Sequence, residues 1–238
     1  MLAAGRVLEL HRWPVKSMGG QSVDAFEVDE RGVAGDRTHA LFDRFKEAPR
    51  RLTARQAPGL LRWRAAYEGV NGFAPQAPPL PTLTAPDGVR FAWDDPGLPE
   101  ALSDDLGRAV KLVRDLAGQQ DLERSVLVTT RATHEAIERD LGQPLDPRRW
   151  RTNVLVELDA EGYVEEAWEG GRLTIGNAEF ELLHPCARCV IPTRDPDTVE
   201  KLPELLRWLT RERHGLFGMN ARPLGPGRVA AGDAVLIT

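Results

Sequence analysis

The sequence predicts a mainly β protein of the α+β kind, with a few helices at its periphery. Three observations lead there. Most of the chain falls into short runs of alternating apolar and polar residues, the period of a half-buried strand. Glycine and proline punctuate those runs throughout, 22 and 18 of them among 238 residues. Helical spacing of apolar residues is confined to three segments, 100–107, 133–141 and 199–213.

Taken in order, 6–11 alternates as a strand and is stopped by Trp13-Pro14-Val15-Lys16-Ser17-Met18-Gly19-Gly20. In that loop an ammonium, a hydroxyl and glycine-freed N–H groups can converge on an anion, although a surface lysine beside a turn is the commoner arrangement. Strands are expected at 23–28 and 38–43, with Gly35-Asp36-Arg37 between them. Arg37 is a second cationic candidate; its plainer role is an ion pair with a neighbour, worth about 0 to 1 kcal/mol at a surface. A turn then leads to a strand at 61–67. Residues 71–95 are rich in proline and glycine, with a hairpin signal at Asp87-Gly88. A boundary near Pro96 separates an N-terminal β region, 1–95, from a second region, 96–238, which opens with the helix at 100–107 and a strand at 110–114.

In the second region a strand at 125–130 precedes the helix at 133–141, with Thr133 as its N-cap and Ala136, Ile137 and Leu141 on one face. A helix start can receive an anion, and a capping threonine needs none. Asp146-Pro147-Arg148-Arg149-Trp150-Arg151-Thr152-Asn153 concentrates arginine just before an apolar strand at 154–158. Arginine's planar fork suits phosphate or carboxylate, while a solvated basic loop is the more frequent use of such a run. The acidic stretch 161–169 is expected to be exposed. A strand-like run over 172–183 leads into the cysteines. Further on, 199–213 buries Leu202, Leu205, Leu206 and Leu209, and strands at 215–222 and 229–237 close the chain.

The formal charge of −5 argues against non-specific nucleic-acid binding, because a phosphate backbone selects for clustered positive charge. No apolar run approaches the roughly 20 residues that span a bilayer. Two cysteines are too few for a disulfide framework, and the opening Met1-Leu2-Ala3-Ala4-Gly5-Arg6 lacks a leader pattern. The expectation is a soluble cytoplasmic protein with neither nucleic acid nor membrane as partner.

Both cysteines lie in His184-Pro185-Cys186-Ala187-Arg188-Cys189, followed by Val190-Ile191-Pro192-Thr193-Arg194-Asp195-Pro196. Half of a zinc site would need two more ligands, and no second Cys-x-x-Cys or His-x3-His occurs. A thioredoxin-like dithiol would open a helix, which Pro192 and Pro196 delay. One soft-metal thiolate beside a structural neighbour is the third reading, and two small buried hydrophobes the plainest. Neither a Walker lysine loop, a dinucleotide fingerprint, a Gly-x-Ser-x-Gly elbow nor His-Glu-x-x-His appears.

The order of the motifs says more than any one alone. Pro14-Val15-Lys16-Ser17, Gly35-Asp36-Arg37, Thr53-Ala54-Arg55-Gln56-Ala57-Pro58, Arg151-Thr152-Asn153, Cys186-Ala187-Arg188-Cys189 and Asp195-Pro196-Asp197-Thr198 together resemble the MOSC family with its N-terminal β-barrel domain, and within it the amidoxime-reducing components. The resemblance covers nearly the whole chain. It implies an N-terminal β lobe packed on a MOSC β-barrel, with a molybdenum cofactor, a pterin dithiolene with a phosphate tail, held between them. Carried over by motif, Cys189 would be the thiolate on molybdenum and the catalytic residue, with Cys186 a neighbour. Lys16, Ser17 and Arg37 would hold the pterin and phosphate from the first lobe, and Thr133, Arg151, Asn153, Ala187 and Arg188 from the second.

The implied activity is reduction of small N-hydroxylated or N-oxide substrates. With two cysteines there is no intrinsic four-cysteine iron–sulfur cluster, and no flavin fingerprint is visible, so a ferredoxin or flavin reductase would donate electrons. A carrier of the cofactor or of persulfide sulfur, and a Cys186–Cys189 dithiol redox protein, are the alternatives. Three departures stand out: Thr152 where the family pattern has proline, Val199 where it has glycine, and Met18 where a cysteine is common.

Overall fold

The computed structural model describes residues 3–69, 72–116 and 124–238; Met1, Leu2 and Asn71 at the start of the proline-rich stretch lie outside the described residues. The architecture is mostly β, as the alternation predicts, with three α-helices.

The chain opens with β1 (Ala3–Arg12), β2 (Gln21–Val23), β3 (Ala25–Asp29) and β4 (Gly32–Val33). The single strand expected at 23–28 is divided at Asp24, because its two parts serve different sheets: β2 pairs with β1, and β3 with β4. Next comes a hairpin of β5 (His39–Phe45) and β6 (Ala48–Arg51), whose two-residue turn, Lys46-Glu47, has φ of 49° and 66°. Residues 61–67 are only partly extended, since a 3-10 turn (Pro58–Arg62) precedes β7 (Arg64–Ala66). With β8 (Thr82–Thr84) and β9 (Arg90–Ala92), β7 makes a three-stranded sheet closed by the Asp87-Gly88 turn. Helix α1 (Leu98–Leu106) ends at Gly107, left-handed at φ 64°, the usual way for glycine to stop a helix. β10 (Lys111–Arg114) then returns to pair with β5. Val15, Met18, Leu41, Leu60, Trp63, Leu83 and Leu102 bury one core among these elements.

The remaining strands are β11 (Val126–Thr130), β12 (Val154–Leu158), β13 (Arg172–Ile175), β14 (Ala178–Ala187), β15 (Leu216–Pro223), β16 (Gly227–Ala230) and β17 (Ala234–Ile237). Order β12-β11-β15-β14-β13-β17-β1, with β1 returning to β12, makes a closed seven-stranded barrel. β11 and β12 are parallel, and helix α2 (Arg131–Leu141) makes the crossover between them. The barrel interior is filled by Val7, Val128, Val154, Val156, Ile175, Phe180, Leu182, Met219 and Ile237. A third cluster, Ile137, Trp150, Leu205, Leu209 and Phe217, seats α2 and helix α3 (Pro203–Arg213) on the barrel. No helix among the described residues is long and apolar enough to cross a membrane.

Two expectations are corrected here. Helix α2 is capped by Thr130, whose hydroxyl accepts the Thr133 N–H at 3.1 Å, so Thr133 lies in the first turn instead of before it. The acidic stretch 161–169 is not uniformly exposed: Glu165 and Trp168 are buried. Glu165 Oε2 accepts the Thr133 hydroxyl at 2.7 Å and the Thr130 hydroxyl at 3.3 Å, whereas Oε1 meets no partner among the described residues. Burial pushes this carboxyl up to about 7.

Candidate cofactor cleft at the join of the two lobes

The cysteine loop is fixed from several sides. Two register shifts between β14 and β15 bend the end of β14, where Cys186 and the exposed Ala187 lie. Arg188 N–H donates to Gly215 O at 2.8 Å, and its guanidinium donates to Trp150 O at 2.7 Å and to Cys186 Sγ at 3.3 Å. Cys189 follows, half-buried, and both thiols are free. Beyond it a short turn (Ile191–Thr193) is held by the Thr193 hydroxyl on Val190 O at 2.7 Å and by Arg149 on Pro192 O at 3.2 Å.

The N-terminal lobe faces this loop with the 13–20 segment. Lys16 is half-buried, and its N–H donates to His39 O at 2.8 Å. Ser17 is left-handed at φ 69°, 1% exposed, and its hydroxyl has no partner among the described residues. An unmatched buried hydroxyl costs about 1–3 kcal/mol, so a missing acceptor or donor is the natural inference at this point. Met18 turns its side chain into the lobe's core and its carbonyl toward Arg151, which donates to it at 2.5 Å. The change from cysteine to methionine therefore alters the core and leaves the cleft alone.

Arg37 and Arg151 are both held in left-handed backbone, at φ 51° and 56°. Arg37 pairs with the fully buried Asp36 at 2.8 Å, and Asp36 also accepts the Trp13 N–H at 2.7 Å. Arg151 lies over the Trp13 ring, 4.4 Å from its centroid, a cation–π contact that keeps the guanidinium at the lobe boundary. Asn153 is the fastener of this arrangement. Its amide donates to His11 O and Asp36 Oδ1, both at 3.2 Å, and its carbonyl accepts the Leu127 N–H at 3.1 Å. Thr152, in the proline position, accepts the Trp13 indole on its carbonyl at 3.1 Å and meets the Thr129 hydroxyl at 3.1 Å.

These segments border a cleft of about 800 Å³, counted to its open mouth. Five arginines line it, Arg64, Arg148, Arg149, Arg151 and Arg194, together with Trp13, Gly19 and Gly20. Asp197 crosses the mouth, pairing with Arg148 of one lobe at 2.6 Å and Arg64 of the other at 3.3 Å. Arg148 also pairs with Asp146 at 2.5 Å, and Arg149 with Asp195 at 3.0 Å. Five cations against Asp146, Asp195 and Asp197 leave the lining positive. Asp195 Oδ1 accepts the N–H groups of Asp197 and Thr198 at 3.0 and 2.9 Å, which holds its carboxyl below the usual range. Val199 keeps the left-handed geometry that glycine would have had, at φ 58°.

Of the residues predicted for the site, Arg151 lines the cleft directly, and Cys189 lies two positions before the lining residue Ile191. Lys16, Ser17, Arg37, Ala187 and Arg188 sit on the segments that frame it. Asn153 acts from behind, through Asp36 and so Arg37. Thr133 lies elsewhere: its hydroxyl donates to Glu165 and accepts the Tyr163 N–H at 2.6 Å. Arg64 and Arg194 were not singled out by the sequence, and nothing local marks them. His134 was also missed; it faces the Trp150–Phe217 stack, bonds Thr129 at 2.9 Å, and is pushed down to about 4 by burial and then by the Arg188 charge.

The arrangement is that of a two-part β-barrel protein with a cationic cleft at the join and a free thiol on the adjoining loop. The MOSC domain matches residues 105–236 and the MOSC N-terminal beta barrel domain residues 4–92, and the chain belongs to the MOSC family. Mitochondrial amidoxime reducing component 2 of Bos taurus is 26% identical over 234 residues, covering 82% of this chain and 68% of that protein. The Homo sapiens protein of the same name gives the same identity and coverage. Human mitochondrial amidoxime-reducing component 1 is 31% identical over 119 residues, 43% of this chain and 35% of that protein. Among solved structures, the YuaD protein from Bacillus subtilis shares the fold, with a TM-score of 0.53 at 15% identity, covering 98% of this chain and 95% of that one.

Proposed function

We propose that the cleft holds a molybdenum cofactor and that the protein reduces small N-hydroxylated or N-oxide compounds in the cytoplasm. The observation that carries the reading is a cleft lined by five arginines, into which lead the 13–20 segment, with its buried Ser17 hydroxyl unpartnered among the described residues, and the loop that carries the free Cys189 thiol two residues before the lining Ile191. A phosphate-tailed, anionic group suits that lining, and a soft metal suits the thiolate. When bound, the cofactor would supply the two-electron chemistry in which R–NH–OH, two protons and two electrons become R–NH2 and water.

The chain's own residues do the holding. Lys16, Ser17, Arg37 and Arg151 would receive the pterin and phosphate, with Arg188 and the Ala187 backbone closing the side next to Cys189. Arg151 is oriented by its contact with Trp13, and Arg37 by Asp36 and Asn153. The amidoxime-reducing names of the curated relatives support the same direction for the chemistry.

The test is molybdenum and pterin content of protein made in a host that synthesises the cofactor, beside Cys189→Ala. Near-stoichiometric metal in the wild type, lost in the variant together with turnover of an amidoxime, is the expected result. A variant that keeps full activity refutes the assignment of Cys189. Persulfide on Cys189 without molybdenum would instead identify a sulfur carrier, and a reversible Cys186–Cys189 disulfide without a metal requirement a dithiol protein.

A further inference from the structure

Outside the cysteine loop the surface changes character. Val190, the residue after Cys189, is a large apolar side chain 40% exposed to solvent. It borders a groove between the 191–193 turn and the outer face of α3, floored by Pro203 and Leu206 and rimmed by Lys201, Arg207 and Arg211. Arg207 and Arg211 are one helical turn apart and so share a face. Among the described residues no carboxylate lines the groove; Glu200, Glu204 and Glu212 flank it in sequence, and Glu212 pairs with Arg211. Lys201 and Arg207 have no ionic partner among the described residues. A positive rim around an apolar centre is unexpected on a chain of formal charge −5. It is also the anatomy of an interface, with charges that steer approach and an apolar core that holds.

We propose that this groove is the docking face of a small acidic electron-carrier protein bearing a flavin or an iron–sulfur cluster. The proposal rests on the reductase reading above, which needs electrons that two cysteines cannot store as a cluster. A carrier seated over Val190 stands one residue from Cys189, on the short route to the cleft. The sign of the rim selects an acidic protein over a basic one, and the small apolar floor suits a transient partner that must leave after each delivery.

The experiment uses the cofactor-loaded protein with three donors: reduced flavodoxin and reduced ferredoxin, both acidic, and reduced methyl viologen, a small cation that needs no docking face. The triple variant Lys201→Glu, Arg207→Glu, Arg211→Glu should raise KM for the protein donors about tenfold or more and leave the viologen-driven rate within about twofold. Arg207→Glu alone, at an exposed position, should give a smaller shift in the same direction and guards against misfolding of the triple variant. Wild-type rates with the protein donors should fall steeply with salt, and viologen-driven rates should not. Unchanged protein-donor kinetics in both variants would overturn the docking face, as would binding of phosphatidylglycerol vesicles that the variants lose while donor kinetics stay intact. No viologen-driven turnover in molybdenum-loaded wild type would sink the reductase reading instead. Calorimetric titration of oxidised flavodoxin and ferredoxin into wild type and variants then decides the docking face without turnover: lost binding in the variants supports it, and no difference overturns it.

Discussion

Replacing Glu165 with glutamine should make the protein more stable at neutral pH and remove one component of its pH dependence. Glu165 is 1% exposed; two threonine hydroxyls serve one carboxyl oxygen, and nothing among the described residues serves the other. Burial moves it from 4.5 to about 7. Between those values the unfolded chain has released the proton and the folded chain still holds it, so stability falls as pH rises. At about 1.4 kcal/mol per pH unit, this one group removes about 3 kcal/mol between pH 4.5 and pH 7 and nothing further above. Glutamine keeps an acceptor for Thr133 but places an amide N–H2 where Oε1 lacked a partner, a loss of about 1 kcal/mol at every pH. The variant should therefore be about 2 kcal/mol more stable than wild type at pH 8 and about 1 kcal/mol less stable at pH 4.5. Urea denaturation of both at pH 4.5, 6 and 8 measures it. The difference between the two proteins is the quantity to read, because Asp43, Asp195 and Asp197 are held low by arginine or N–H donors and change stability in the opposite sense. A difference that stays constant from pH 4.5 to 8 would refute the argument.

Asn153→Ala should lose about 2–4 kcal/mol by denaturant titration, because it strips the Leu127 N–H of its acceptor and Asp36 of a donor in a buried site; a loss under about 0.5 kcal/mol would show that the fastening is dispensable. Val199→Gly should gain about 1 kcal/mol, the relief of a β-branched residue at φ 58° less the extra entropy of glycine, and a thermal melt that moves down would contradict it. Ser17→Ala should leave the apo protein as stable as wild type or up to about 2 kcal/mol more so, while pterin content of protein from a cofactor-making host drops. Equal pterin content in that variant would remove Ser17 from the proposed site.

What could be read from the sequence was local. Alternation located β11, β12 and β15 to within a residue, found β1 but began it three residues late, and Asp87-Gly88 located its hairpin, because those signals depend on neighbours in the chain. The hairpin at Lys46-Glu47 escaped because neither residue is typical of a turn with two positive φ angles. Thr130 and Thr133 are equally good caps on paper; the end of β11 decides between them. Glu165 looked solvated since its run is acidic, and only the two hydroxyls from a helix some 30 residues earlier make its burial tolerable. Arg148, Arg149 and Arg151 were visible as a cluster, whereas Arg64 and Arg194 join them only through the packing of the two lobes. Asn153 was noticed for its motif, and the work the structure gives it is support for Asp36.

The strand at residues 3–12 belongs to the barrel built by the far half of the chain. It hydrogen-bonds β12 along one edge and β17 along the other. Both of these neighbours lie far along the sequence, and the adjacent strand β2 pairs only with its end, Leu10–Arg12. Until β12 and β17 have both been made the barrel cannot close, and the part of the early strand that β2 leaves uncovered offers open edges to any passing chain. Closure is a late, long-range event of the kind that makes folding slow. A fragment beginning after Pro96 would meet the same difficulty permanently, with open edges on β12 and β17 in place of a seam.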